Sequence, residues 1–133
     1  MQHLTALLID DDEPTNIFND IMMRRSGLFS SWKIVSSAAE GLDYLMESKV
    51  VPDVILLDIN MPVYTGWDFL ERYREADLAS KCDYVIMLTT SSSSFDIKRS
   101  EDFCAVRDFK EKPLRIPTIQ DIVEKISLAH ACR

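Results

Sequence analysis

The feature that most constrains the fold is a short apolar run at residues 54–57, Val-Ile-Leu-Leu, which leads directly into Asp58. A run of this length that is apolar at every position is typical of a strand buried on both faces of a parallel sheet. Pro62 has no backbone N–H to donate, so it ends the strand pairing. Asp58 is therefore predicted at the carboxyl end of a buried strand, where open parallel sheets bind ligands. Taken alone, this position fits either a loop cap or a reactive group.

Strand and helix patterns alternate along the whole chain. Further strands are predicted at residues 4–9, 32–35, 84–89 and 106–111, the last less apolar and so at a sheet edge. The first helix is predicted to begin near Pro14 and to end at Gly27. The helical stripes are Ile17, Phe18, Ile21 and Met22; Ala38, Leu42, Leu45 and Met46; Trp67, Leu70 and Tyr73; and Ile116, Ile119, Ile122, Val123 and Ile126. Five alternations predict one α/β domain over residues 1–133, with right-handed crossovers and helices on both faces of a parallel sheet.

The fourth helix, at about residues 95–104, has the weakest pattern. A serine run at residues 91–94 precedes it and is predicted to cap its N-terminus. Ile97 and Cys104 are its inward candidates, and charged residues surround them. We therefore expect this helix to be weakly anchored.

The composition narrows the classes of function. There are 22 acidic and 15 basic residues, and the net charge of −7 disfavours a general binder of nucleic acid or of an anionic membrane. No signal-peptide pattern begins the chain, and no apolar stretch reaches the ~18 residues of a membrane span. The cysteines Cys82, Cys104 and Cys132 have no pairing pattern, so we expect reduced thiols in a cytoplasmic protein.

Reactive side chains follow four of the predicted strands. They are Asp10 and Asp11 after the first strand, Asp58 after the third, Thr89 after the fourth and Lys112 after the fifth. Because parallel strands end at one edge of the sheet, we expect these side chains to meet in one crevice. Neighbouring carboxylates disfavour each other's ionisation, and Mg²⁺, which prefers oxygen ligands, removes that cost. A lysine and a hydroxyl complete a site suited to a phosphoryl group, which an aspartate can accept as nucleophile.

Together these motifs resemble the receiver domain of two-component response regulators. Asp10-Asp11, the Asp58-x-Asn60-Met-Pro loop, Thr89 and Lys112-Pro113 occur in the family's order, each at a predicted strand end. The resemblance implies a flavodoxin-like (βα)5 fold, with a doubly wound five-stranded sheet in the order 2-1-3-4-5. It also implies a phosphoryl donor, either a sensor histidine kinase or a histidine phosphotransfer protein. Self-phosphorylation and self-dephosphorylation are then the only reactions expected, rather than enzymatic turnover.

The resemblance assigns a role to each residue of the site. Asp58 is the expected phosphoacceptor, and Mg²⁺ is the expected cofactor. Asp11, Asp58 and the backbone carbonyl of Asn60 would hold the ion, together with phosphate oxygen and water. Asp10 would act in the second shell of the ion, through water or a hydrogen bond. Lys112 would pair with Asp58 and then with the phosphoryl oxygens.

The resemblance also implies a conformational switch. Thr89 would move toward the phosphoryl group, and Phe109 would turn inward, which would reshape the face of the fourth helix, fifth strand and fifth helix. The Lys112–Pro113 peptide is expected to be cis. Thr90 stands where the family usually has a smaller residue. The hydroxyl of either Thr89 or Thr90 could therefore donate to the phosphoryl group, and the spacing favours Thr89. Phe109 lacks the hydroxyl of the tyrosine often found at this position.

Alternatives to these roles remain at this stage. Asp12 fits a helix cap best, Lys112 could be a solvated lysine, and Phe109 could be a core residue that does not switch. The rival functions are a pseudo-receiver that works without phosphorylation, a flavodoxin-like electron carrier, and a Mg²⁺ phosphatase. A flavin carrier needs a phosphate-cradling loop after the first strand, where this chain has aspartates. Output could pass through a downstream protein target, a homodimer or further parts of a larger regulator.

Overall fold

The structure is a computed structural model, and it describes residues 4–49, 51–61, 63–78, 82, 84–90 and 93–131. The strands are β1 (Thr5–Ile9), β2 (Ser31–Val35), β3 (Val54–Asp58), β4 (Val85–Thr89) and β5 (Val106–Glu111). The helices are α1 (Glu13–Ser26), α2 (Ala38–Glu47), α3 (Gly66–Glu75), α4 (Ser94–Ser100) and α5 (Ile116–Ala131). Every predicted strand is present. Pro62, Ser91, Ser92 and Cys132, used in the sequence analysis, lie outside the described residues.

The strands form one parallel sheet in the order β2-β1-β3-β4-β5. This confirms the predicted fold class and strand order. β1 keeps its register with β2 and β3 as far as Ile9, which lies opposite Val35 on one side and Leu57 on the other. The carboxyl ends of β1, β3, β4 and β5 consequently lie along one edge of the sheet, which is where the candidate site forms.

Alternating strand residues build two apolar cores, one on each face of the sheet. Leu7, Leu57 and Met87 belong to the core that contains residues of α2 and α3. Leu8 and Ile86 belong to the opposite core, which contains residues of α1 and α5. All residues of β3 and β4 are buried because helices cover both faces. This two-sided burial explains why the central strands read as continuous apolar runs.

Side-chain caps define the helix ends near the candidate site. Asp12 caps α1 by accepting a hydrogen bond from the Thr15 N–H at 3.0 Å, as predicted. Gly27 ends α1 with φ of 65°, a conformation that costs glycine little. Thr65 and Asp68 form a reciprocal capping box at the start of α3. This capping box holds α3 at the end of the loop that follows β3.

The buried face of α1 differs from its predicted apolar stripe. Ile17 and Ile21 are 56% and 40% exposed, whereas Asn19 and Met23 are buried. The predicted stripe was therefore wrong for Ile17 and Ile21, whereas Phe18 is half-buried and Met22 packs against the core. The observed inward face combines the fully buried Met23 with a polar contact at the end of β1.

The inward residues predicted for α4 are also wrong. Both Ile97 and Cys104 are exposed, and Ser100 is the buried residue of this short helix. Phe103, in the turn after α4, enters the core in their place. Ser93 caps the helix, which agrees with the predicted role of the serine run. Among the described residues, no helix is both long and apolar enough to cross a membrane.

Candidate functional site

Three carboxylates meet at the carboxyl edge of the sheet. Asp10 and Asp11 follow β1, and Asp58 is the last residue of the neighbouring strand β3. One oxygen of each carboxylate lies within 4.8 Å of the others. Asp10 and Asp58 are only 2% and 5% exposed, whereas Asp11 faces solvent. We refer to Asp10, Asp11, Asp58 and Lys112 as the acidic site.

Lys112 joins the two buried carboxylates. Its Nζ donates to Asp10 Oδ2 at 2.8 Å and to Asp58 Oδ1 at 2.9 Å. Its backbone N–H donates to the Thr89 carbonyl at 2.7 Å, which fixes the start of this loop against the end of β4. The peptide between Lys112 and Pro113 is cis, as expected. Lys112 is therefore held in the site by hydrogen bonds to both carboxylates and is not a solvated surface residue.

Burial and charge change the protonation of the acidic site. Burial raises the pKa of Asp58, and the charge of Asp10 adds to this effect, against the hydrogen bonds from Lys112 and from the Asn60 backbone. Burial disfavours the charged form of Lys112, but its bonds to Asp10 and Asp58 raise its pKa overall. The lysine is consequently charged at neutral pH, and burial makes ionisation of the Asp58 carboxylate less favourable than in water.

The acidic site fits a divalent cation by charge, donor type and access. The site holds three carboxyl groups but one lysine, and this excess of acidic groups would be offset by a divalent cation such as Mg²⁺. The donors are hard oxygen atoms close enough to share an ion. Because Asp11 is exposed, an ion can reach the site from solvent. The aspartates are thus arranged for metal binding as well as for pairing with Lys112.

The loop after Asp58 folds back tightly against the end of its own strand. The Gly66 N–H donates to the Ile59 carbonyl at 2.8 Å. A Cβ atom at Gly66 would lie 2.7 Å from the Asp58 carbonyl oxygen and 3.0 Å from the Ile59 Cα, which is closer than side chains approach backbone atoms. Glycine therefore lets α3 begin directly on the backbone that carries Asp58, and this contact restricts movement of the carboxylate.

Of the predicted switch residues, Thr89 lies next to the acidic site and Phe109 lies within β5, before Lys112. Thr89 is 3% exposed at the end of β4, opposite Glu111 of β5. Thr90 lines the crevice above the three aspartates. Phe109 lies opposite Met87 and is half-buried against the core that contains residues of α2 and α3. In this conformation Thr89 is covered, whereas the neighbouring Thr90 lines the crevice.

Two residues of α1 reach the site without having been predicted there. Thr15 lines the crevice and donates to the Asp12 carboxylate. Asn16 donates through Nδ2 to the Asp10 carbonyl at 2.9 Å. The polar spacing of positions 12, 15 and 16 was the available signal. This signal was missed because Ile17, which follows Asn16, was assumed to face inward.

Comparisons with known proteins agree with this arrangement. Residues 6–124 match the family model described as the response regulator receiver domain. The chain is 28% identical over 124 residues to Two-component response regulator 24 of Arabidopsis thaliana, covering 93% of this chain and 84% of that protein. It is 29% identical over 126 residues to Sporulation initiation phosphotransferase F of Bacillus subtilis, covering 94% of each. It also matches longer proteins, among them a protein-glutamate methylesterase of Methanospirillum hungatei, of which it spans only 25%.

Solved structures share the same backbone. A two-component response regulator from Cytophaga hutchinsonii superimposes with a TM-score of 0.84 at 25% identity, covering 95% of this chain and 98% of that one. The chemotaxis protein CheY4 of Vibrio cholerae superimposes with a TM-score of 0.79 at 21% identity, covering 94% and 99%. Because its identity to this chain is only 21%, CheY4 shows a similarity of fold alone.

Proposed function

Because this chain belongs to the family of response regulator receiver domains, we propose that it accepts a phosphoryl group on Asp58. The donor would be a histidine kinase or a histidine phosphotransfer protein. The observation that carries the proposal is the setting of Asp58, a buried carboxylate at a strand end, bonded to Lys112 and beside two other carboxylates. A loop cap would need neither the lysine nor the acidic neighbours.

Asp58 would act as the nucleophile. One of its carboxylate oxygens would bond to phosphorus while the P–N bond to the donor's imidazole breaks, and the imidazole nitrogen would keep that electron pair. The product would be an acyl phosphate on Asp58. Lys112 would exchange its contact with Asp58 for one with the phosphoryl oxygens. Its second bond, to Asp10, would keep the ammonium group in place during this exchange.

Asp11, Asp58 and the Asn60 carbonyl would hold Mg²⁺, with Asp10 contributing through water or a hydrogen bond. The bound ion would supply positive charge that offsets the repulsion between the carboxylates and the phosphoryl oxygens. Asp11 is the exposed member of the set, so it would be the first ligand that an arriving ion meets. Asp10 is already committed to Lys112, which fits a supporting role for it.

Thr89 and Phe109 would carry the signal to an output face made of α4, β5 and α5. Thr89 would leave its covered position to donate to the phosphoryl group, and Phe109 would follow it inward. On the α5 side of β5, Lys110 pairs with Asp121 and Lys125 pairs with Asp108, which ties β5 to α5. We therefore propose that α4 is the part of the output face that moves most.

The proposal is tested with a small-molecule phosphoryl donor. The protein is incubated with acetyl phosphate and Mg²⁺, and its intact mass and the modified residue are determined by mass spectrometry. We expect one phosphoryl addition on Asp58, which is absent in Asp58→Asn and in samples that contain EDTA. Asp12→Asn is the matched control, since this neighbouring aspartate caps α1 and is expected to leave the addition intact. No mass gain in the wild-type protein, or an equal gain in Asp58→Asn, would refute the proposal.

The scope of the proposal is one receiver domain over residues 1–133. We propose that it acts in the cytoplasm on a downstream protein target rather than on nucleic acid or a membrane, in keeping with the net charge of −7 and the scattered cysteines. Homodimerisation through the output face is a further route of signalling within this proposal. Comparison of phosphorylated protein with Asp58→Asn in a pulldown and by size-exclusion chromatography would separate these two outputs.

A further inference from the structure

The inward face of α1 carries asparagines where a soluble helix usually places apolar residues. Asn19 is 2% exposed and Asn16 is half-buried, one turn before it on the same side of the helix. Ile17 and Ile21, meanwhile, remain in solvent. The same face also carries Met23, which is fully buried, so burial of apolar surface contributes to the orientation of this helix. It does not account for the asparagines on this face, one of which makes a specific polar contact.

That contact is made by Asn16 with the backbone of the acidic site. Its Nδ2 donates at 2.9 Å to the carbonyl of Asp10. The pairing of β1 with both of its neighbours ends at Ile9, so this carbonyl lies beyond the sheet. The Asp10 carbonyl and the Asp11 N–H belong to the same planar peptide unit. A hydrogen bond to this carbonyl therefore also sets the direction in which Asp11 leaves the backbone.

Asp11 depends on this backbone restraint more than its partners do. The Asp10 side chain is held at both oxygens, by the Asp12 N–H at 3.0 Å and by Lys112 at 2.8 Å. Asp58 is held by Lys112 and by the tight contact of Gly66 with its backbone. The Asp11 side chain is exposed and makes no hydrogen bond to any described residue. Its backbone is thus restrained by the peptide that Asn16 holds.

The oxygen of the Asn16 side-chain amide is unfavourable for the stability of the fold. This atom, Oδ1, is buried and, among the described residues, has no hydrogen-bond partner; the same is true of Asn19 Oδ1. A buried acceptor without a partner destabilises a fold, because it loses its hydrogen bonds to water without replacing them. Leucine, of similar size, would avoid this cost. An amide that is unfavourable for stability yet donates to the site is typical of a residue kept for function.

We propose that Asn16 is a positioning residue of the metal site. It holds the Asp10–Asp11 peptide so that the Asp11 carboxylate faces the cation without rearrangement. This inference rests on the proposed function only in taking the acidic site to bind Mg²⁺. Residues that orient metal ligands commonly change metal affinity by about 10–100-fold when they are replaced.

The test compares Mg²⁺ affinity with stability in the full chain. Asn16→Leu removes the donor and also the unpartnered oxygen. We expect its Mg²⁺ dissociation constant, measured by calorimetric titration, to rise about 10-fold, while its Tm in EDTA is equal to or above that of the wild type. Asn19→Leu is the matched control, because it replaces a buried amide on the same face that does not touch Asp10. We expect Asn19→Leu to keep wild-type Mg²⁺ affinity.

Three results would overturn the inference. They are wild-type Mg²⁺ affinity in Asn16→Leu, an equal loss of affinity in Asn19→Leu, and a loss of affinity in Asn16→Leu that only accompanies partial unfolding in EDTA. If Asn16→Leu does not fold, Asn16→Ala carries the same comparison, since alanine also lacks the donor and favours the helix. A wild-type protein that binds no Mg²⁺ would instead refute the metal site itself, so the two failures are distinguishable.

Discussion

Asp58 illustrates a conflict between stability and reactivity at a single residue. Burial, with the charge of Asp10, raises its pKa, so ionisation of Asp58 opposes folding. The penalty is absent below the unfolded-state pKa of about 4 and grows as the pH rises toward the higher folded-state pKa. The charged form that the proposed phosphoacceptor needs is thus the form that burial disfavours in the metal-free fold.

Asp58→Asn is therefore expected to stabilise the metal-free protein. At pH 7 in EDTA its free energy of unfolding should exceed that of the wild type by on the order of 1 kcal/mol, the usual scale of a single substitution. The difference should shrink as the pH falls toward 4, because Asp58 then becomes neutral in both folded and unfolded chains. Urea denaturation across this pH range measures it. A variant less stable than the wild type at pH 7 would mean that pairing with Lys112 outweighs burial.

Val63, in the loop after Asp58, shows backbone strain at another single residue. Its φ is 66°, although it is β-branched, and its side chain is 90% exposed and gains little from packing. Left-handed backbone costs such residues about 1–2 kcal/mol, whereas asparagine adopts it more easily.

Val63→Asn is therefore expected to raise the free energy of unfolding by about 1 kcal/mol. Thermal denaturation measures the change. Val51→Asn is the control. Val51 is another exposed valine, at 51%, but it does not have positive φ. The control should change stability by less than half as much. An equal gain in both variants would point to surface polarity rather than to relief of strain.

At the scale of elements, α4 is held mainly through aromatic side chains of its neighbours. The Arg99 guanidinium lies 4.7 Å from the centre of the Trp67 ring, at the start of α3. Trp67 stacks on Phe103 at 6.2 Å, and Arg74 covers the Phe103 ring at 4.8 Å. These contacts replace the apolar stripe that α4 lacks. They also explain how a helix with exposed apolar residues stays on the sheet.

Arg99→Met, which keeps a long apolar stem but removes the charge, is expected to loosen α4. The loss of stability should be about 0.5–1 kcal/mol, and amide exchange should accelerate in α4 more than in α5. Trp67 fluorescence, measured in a Trp32→Phe background, should change as the guanidinium leaves its ring. Lys98→Met is the control, since no aromatic contact involves Lys98 among the described residues. Equal effects of both variants would argue against the role of the ring contact.

The elements also show which predictions succeed from sequence. β3 and β4 were located within one residue because strands buried on both faces read as unbroken apolar runs. α1 was located correctly, but its inward face was predicted only in part. The polar side chain that bonds the Asp10 carbonyl cannot be found by a search for apolar periodicity. The inward face of α4 was wrong for a related reason. Its anchor is the charged residue Arg99, which a search for apolar periodicity excludes.

At the scale of the whole molecule, the fold brings the predicted site residues to one edge of the sheet. The aspartates and Lys112 could be assigned in advance because they follow strands whose order the topology fixes. The supporting residues could not be assigned in this way. The contact of Asn16 depends on the rotation of a helix, and that of Gly66 depends on a distance of a few ångströms. The strands are encoded locally by their apolar runs, and their order followed from the family resemblance, whereas such contacts depend on how finished elements pack.

The bond between Lys112 and Asp10 joins residues that are 102 positions apart in the chain. On the ribosome, Asp58 emerges 54 residues before the lysine that neutralises it. At about 5–20 residues per second, this is a delay of roughly 3–10 s. During that interval the nascent chain carries its acidic cluster without a counter-charge, and β4 has not yet gained its last neighbour. The residues of the proposed phosphoryl-acceptor site can therefore come together only after the final strand has been synthesised.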